Sequence, residues 1–276
     1  MGRFGKCSLR AAGNPTMTCP LCGGGRQRIV VRTAQWRVMY CVTCFNAWTD
    51  PPPAQKPYEE EDFHGQFEFK RVADLPRQWR TALEDQVRLL QDFVPAGAGV
   101  LEIGCGEGFL LSLLSARGFD VTGIEPSTVA SERGRGRGLK VHTGYFPLPG
   151  MEESYDAVIL SQVVEHIEDP RAILREVRRR LRSRGVVLLV QANWRGLVPR
   201  VLKERWYAWV PDQHYWHFTP KGMTRILQEM GFEIVAVRYS SLEHGSDTLS
   251  RFATLIPAGG DQFHLLARVG EKKETG

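Results

Sequence analysis

The chain has 276 residues, 42% of them hydrophobic and 10% aromatic, enough to bury one full core with a small appendage. Its net charge of +5 is modest but uneven: seven Lys and Arg and no acid precede Asp50, a bias that favours polyanionic partners. No apolar run reaches bilayer length, the N-terminus lacks the apolar core of a signal peptide, and Lys6 stands where a myristoylation signal wants Ser or Thr, so the expectation is a cytoplasmic protein without a membrane span.

Residues 1–50 carry two cysteine pairs, CPLC (Cys19, Cys22) and CVTC (Cys41, Cys44), with 18 residues between them. That spacing is a zinc signature, because each pair offers two thiolates on one turn and two turns complete a tetrahedral site. Disulfides are the alternative, and the lack of a secretory signal argues against them. Four sulfurs leave no open position, so the metal is expected to be structural, and so small a piece needs it to fold. Cys7 stands unpaired. The intervening RQRIVVRTAQWRVMYC alternates like a hairpin, giving a zinc ribbon. Three roles stay open for it: gripping RNA through Arg26, Arg28, Arg32 and Arg37, covering an active site, or supporting a homodimer. Residues 51–73 begin with prolines and a charge run, and read as a linker.

Residues 74–276 change character to alternating helices and apolar strands. Helical spacing covers Leu75–Phe93, Val100–Ile103 is a buried strand, and Gly108–Arg117 is helical. Asp120–Ile124 is a strand, Ser127 caps the next helix, and GRGRG (Gly134–Gly138) weakens that helix. Leu139–His142, Tyr155–Leu160 and Gly185–Gln191 are strands, and Arg171–Ser183 is an amphipathic helix carrying a second basic run. Thr219–Met230 is a helix stopped by Gly231, and Phe232–Tyr239 and Gln262–Val269 are strands that suit an antiparallel ending. The alternation predicts an α/β fold with a doubly wound, mostly parallel sheet, whose ligands bind beyond the carboxyl ends of the strands.

At that end of the first strand of this region stands VLEIGCGEGF (Val100–Phe109). A dinucleotide loop wants G-x-G-x-x-G, but the third glycine here comes one residue early. Glu102 just before the loop repels a pyrophosphate and attracts an amine. Glu125, closing the next strand, can accept both hydroxyls of a ribose. A ribose, an amine and no pyrophosphate describe S-adenosylmethionine (SAM). Cys105 inside the loop reads as a small packing residue.

With YDAVILSQVVEHIEDP further on, these motifs resemble the class I SAM-dependent methyltransferases, most closely the large group that includes the ubiquinone-biosynthesis type, over roughly residues 97–237. The resemblance implies a seven-stranded, Rossmann-like sheet of order 3-2-1-4-5-7-6. It implies that Gly104, Gly106 and Gly108 pass under the methionine part of SAM, with Glu102 near its amino group and Glu125 on its ribose. Tyr145 and Phe146 would flank the adenine, although many relatives carry an acid there, and Ser161 and Gln162 would border the methyl group.

Trp194–Phe218 holds four of the seven Trp, and its place after the fifth strand suggests a lid over an apolar or planar acceptor, a platform for unpaired bases, or core packing. Methyl transfer is an in-line displacement in which the enzyme positions the partners and sometimes removes a proton; His166, His214 and His217 are the candidate bases. The leading expectation is a SAM-dependent methyltransferase acting on oxygen, nitrogen or carbon of a small molecule, with a structural zinc. An RNA methyltransferase using the basic ribbon is the alternative, and a SAM-binding scaffold without chemistry a third.

Overall fold

The computed structural model describes residues 18–54, 69–240 and 259–270. The expectations for Cys7, most of the linker and most of the connection between the last two strands lie outside the described residues. No helix among them is long and apolar enough to cross a membrane.

The N-terminal part is an antiparallel meander of β1 (Gln27–Arg32), β2 (Arg37–Cys41) and β3 (Ala47–Asp50). Its first turn is set by the Thr33 hydroxyl, which accepts from the N–H groups of Gln35 and Trp36 and so mimics a backbone turn. The sheet does not end with the ribbon. Its fourth strand is β9 (Trp216–His217), with Ala47 opposite His217 and Trp48 opposite Trp216. β1, β2 and β3 therefore share a sheet with a strand from the other end of the chain.

The larger sheet has seven strands: β4 (Gly99–Ile103), β5 (Asp120–Glu125), β6 (Lys140–Thr143), β7 (Tyr155–Ser161), β8 (Leu181–Ala192), β10 (Phe232–Ser240) and β11 (Gln262–Val269). The order β6-β5-β4-β7-β8-β11-β10 is the 3-2-1-4-5-7-6 arrangement the resemblance implies, with β11 antiparallel to both neighbours. Val100, Leu101, Val158, Ile159, Leu160, Val187 and Leu188 are fully buried because helices cover both faces of the central strands. Six α-helices accompany these strands among the described residues: α1 (Arg77–Gln91), α2 (Phe109–Ala116), α3 (Thr128–Gly136), α4 (Pro170–Arg180), α5 (Leu197–Leu202) and α6 (Pro220–Glu229). Ser127, Asp169 and Thr219 cap α3, α4 and α6 with their side chains, and proline opens the last two.

Two local boundaries differ from the sequence reading. Helix α4 stops at Arg180, because Leu181 already pairs with Tyr155 and the following residues form an irregularity with Arg184 at positive φ before Val186 rejoins the ladder. Helix α3 runs into the GRGRG stretch as far as Gly136.

The aromatic insertion is core rather than an open lid or a base-stacking platform. It folds into α5 and two single-turn 3-10 helices, and Trp206, Trp209 and Trp216 are buried. Trp206 and Trp209 pack with Val31, Val38 and Ala47 of the ribbon. Polar contacts secure the joint. Thr49 Oγ1 donates to the His214 carbonyl (2.7 Å), Thr219 Oγ1 donates to the Phe45 carbonyl (2.8 Å), and Arg225 donates to the Thr43 carbonyl (2.6 Å).

Candidate functional site

The chain leaves β4 through Gly104, Gly106 and Gly108, all at positive φ, and enters α2. A Cβ at Gly104 would lie 2.6 Å from Val163 Cγ2, and one at Gly108 would lie 2.5 Å from Leu139 Cδ1. Glycine is required at both places for conformation and for space. Glu125, at the end of β5, braces the turn: Gly106 N donates to Oε2 (2.8 Å) and Ser127 N to Oε1 (2.9 Å). Glu107 braces it from the other side, clamped by Arg133 (2.7 Å) and Arg137 (2.9 Å). Arg137 also lies over the Phe109 ring and donates to the Phe69 carbonyl. The GRGRG stretch thus supplies a cation that holds the loop, a role its composition did not suggest.

A cavity of about 490 Å3 lies against this turn, at the carboxyl ends of β4 and β7. One wall is the turn with Glu102; the opposite wall is α1, through Trp79, Ala82, Leu83 and Gln86; Ser161 and Gln162 close one end. Three buried polar atoms facing this region have no hydrogen-bond partner: Glu102 Oε2, Gln86 Oε1 and Gln162 Nε2. Such orphans mark a place where a ligand completes the bonding. Gln162 is also held at positive φ, a strain common at sites of function. Burial, and then the charge of Glu125, raises the Glu102 carboxyl well above the usual range, so a cationic group is what would keep it ionised there. Burial also raises Glu125, against the two N–H groups that lower it. Burial raises the Cys105 thiol, which fits packing and not nucleophilic attack.

The structure does not bring every expected residue to this cavity. Tyr145 is 60% exposed and Phe146 packs against the core, and neither lines it; Gly108 and the buried Glu125 do not line it either. The histidines lie elsewhere too. His214 and His217, with Glu165, line a separate small cavity of about 10 Å3, and His166 meets His214 edge-on with ring centres 4.6 Å apart. The pairing of β3 with β9 draws residues 214–217 to the ribbon and away from the large cavity. Burial lowers His166 to about 4 and His217 to about 3, and takes His214 well below its ordinary value. All three are therefore neutral at pH 7 and weakly basic. The residues of α1, Gln86 above all, escaped the sequence reading; an amide on the otherwise apolar face of a helix was the available signal.

The four cysteines converge as their spacing predicts. Sγ of Cys19 lies 3.7 Å from that of Cys44, and Sγ of Cys22 lies 3.6 Å from that of Cys41. Sulfurs at 2.3 Å from a tetrahedral zinc stand about 3.8 Å apart, so the cluster has the size of a zinc site.

Comparison with known proteins gives a methyltransferase domain over residues 73–237. A ubiquinone biosynthesis O-methyltransferase from Dinoroseobacter shibae is 29% identical over 152 residues, 50% of this chain and 61% of the relative. The alignment thus spans about three fifths of that protein. Among solved structures, a SAM-dependent methyltransferase from Thermotoga maritima is similar with a TM-score of 0.55 at 19% identity, over 70% of this chain and 91% of the other. The magnesium protoporphyrin IX methyltransferase of Synechocystis, solved with bound S-adenosylhomocysteine, gives 0.53 at 19% identity over 69% and 83%. The glycine turn, the strand order and the matched domain together place the chain in the methyltransferase-domain family, of the class I SAM-dependent type.

Proposed function

We propose that this protein transfers the methyl group of SAM to a small-molecule acceptor. The observation that carries this is the large cavity, which joins an orphaned buried carboxylate at a glycine turn to an apolar wall from α1. Glu102 would pair with the amino group of the donor, and Gly104, Gly106 and Gly108 would let the backbone approach its methionine part. Each oxygen of Glu125 retains a lone pair beyond its one backbone bond, which suits two ribose hydroxyls. Ser161 and Gln162 would border the methyl group. Bound SAM supplies an electrophilic methyl on a sulfonium. The protein's residues then hold the acceptor in line and exclude water, Trp79 and Leu83 offering a flat apolar surface to it. Tyr145 and Phe146 have no part in this reading. The three histidines receive no proton-transfer role, since they are buried outside the cavity.

The names of the two relatives above describe small-molecule acceptors, which supports this class over RNA. The buried tryptophans of the insertion offer no stacking surface to bases, and Arg37 is engaged by Asp50. We further infer that Cys19, Cys22, Cys41 and Cys44 bind a structural zinc ion, on the fit of their sulfur spacing.

The test uses methyl-labelled SAM, the purified protein and extract from its own source, divided into RNA, protein and small-molecule fractions. Label in an organic-extractable product is expected, and mass spectrometry then names the acceptor. Label made soluble by ribonuclease would replace this reading with the RNA one.

A further inference from the structure

Glu165 sits in the single-turn helix Val164–His166 that follows β7. The residue is buried; the Gln191 amide stands beside its carboxylate, but neither carboxylate oxygen nor Gln191 Nε2 completes a hydrogen bond of good geometry. A buried acid in that condition is costly unless something else engages it. Two imidazoles close on it. His166 comes from the same turn, and His214 is delivered by the aromatic insertion, whose Tyr215 N donates to the Glu165 carbonyl (2.9 Å). One coordinating atom from each of the three side chains lies within 4.8 Å of the other two.

Both rings are already oriented from behind. His214 Nδ1 is 3.1 Å from the Ala208 carbonyl, which can only accept, so this nitrogen carries the proton and Nε2 keeps its lone pair. His166 likewise bonds to the backbone of Gln213, which leaves its second nitrogen free to coordinate. A backbone carbonyl behind the imidazole is the support that fixes tautomer and aim in a metal-ligating histidine.

We propose that Glu165, His166 and His214 form a buried site for a divalent transition-metal ion of the zinc class, separate from the four-cysteine cluster. Two imidazoles and one carboxylate are the ligand types that suit zinc and its neighbours, whereas magnesium and calcium favour all-oxygen shells. The fourth position has a natural occupant. The adjoining cavity of about 10 Å3, lined by Glu165 and His214, has room for one water. The ion would bond an otherwise orphaned carboxylate oxygen and tie the turn after β7 to the insertion that carries β9. Gln162, three residues before Glu165, lines the large cavity, so the turn after β7 carries residues of both sites. The inference needs only these ligands and is independent of the methyl-transfer reading.

The 276-residue chain is loaded with excess Zn2+, desalted, and measured for zinc content and for X-ray absorption at the zinc edge. Two zinc ions per chain are expected, with nitrogen and oxygen ligands beside sulfur. Glu165→Gln and His214→Gln should each lower the count to one and leave sulfur ligands only, while His142→Gln, an exposed histidine elsewhere, should keep both. Wild-type protein with one zinc ion and sulfur ligands alone overturns the site, and so do two ions retained in both variants. One ion with nitrogen and oxygen ligands alone would keep this site and sink the ribbon's. The wild-type spectrum requires no substitution, so a variant that fails to fold does not protect the proposal.

Discussion

Replacing Glu125 by Gln keeps the volume of the side chain and removes one acceptor. In the folded protein its two oxygens each take a backbone N–H, from Gly106 at 2.8 Å and from Ser127 at 2.9 Å. An amide offers one oxygen and one NH2 group, so one of those N–H donors must face another donor in a buried place. A hydrogen bond to a charged group contributes about 1.5–3 kcal/mol, and relief of the buried charge offsets part of its loss, since burial already disfavours the ionised carboxylate. The net expectation is a stability loss of about 2 kcal/mol, read from the urea midpoint at constant slope. If the freed Gly106 turn must be rebuilt on binding, SAM affinity measured by calorimetry should fall roughly 30-fold, the equivalent of that same energy. Wild-type stability together with wild-type affinity would refute the argument. Lost stability with unchanged affinity would leave Glu125 as a brace and remove it from the donor site.

Gly222→Ala should destabilise the joint between ribbon and sheet by about 1–3 kcal/mol, because the new Cβ would stand 1.9 Å from Asn46 Oδ1, which is buried and accepts from Thr219 N; an unchanged thermal midpoint would contradict the packing described. Cys41→Ser should abolish zinc binding at the ribbon and lower stability, and metal content that still shows sulfur-only zinc at full occupancy would remove that assignment. His264, buried and 3.0 Å from Ser240 Oγ, is lowered by burial to about 4, below its unfolded value near 6.5. Its neutral form therefore contributes stability that is present above pH 6.5 and is lost as pH falls toward 4, by about 3 kcal/mol at most. His264→Gln should flatten that part of a pH titration of stability, and an unaltered acid slope would disprove the linkage.

The parts of this fold legible in the sequence are those fixed by neighbours a few residues away. Val100–Ile103 and Gly185–Gln191 read as buried strands because both faces are covered and their side chains are mostly apolar, with Glu102 the exception that marks the site. Ser127 and Thr219 announce their helices because a cap acts within three residues. The cysteine cluster is legible for the same reason, since each half of it lies on one turn. β9 was not legible: two residues, Trp216 and His217, carry no periodicity, and only their pairing with Trp48 and Ala47 makes them a strand. That one distant pairing decides where the tryptophans and histidines of the insertion go, which is why placing them at the mouth of the large cavity failed. Arg133 and Arg137 were hidden in and beside a glycine-rich run whose helix propensity is poor, and their value lies in Glu107, which the sequence separates from Arg137 by two helices and a strand.

The joining of β3 to β9 also sets a timetable. Thr49 and His217, in contact in the finished sheet, are 168 residues apart along the chain. At 5–20 residues per second, a ribosome spends roughly 10–30 s between them. Throughout that interval the ribbon has an open strand edge and an uncovered face at Trp48, Val38 and Ala47, surfaces prone to pair with other chains. The ribbon is thus made well before it can be completed, and nascent chains stalled before residue 216 should be clients of the cell's chaperones.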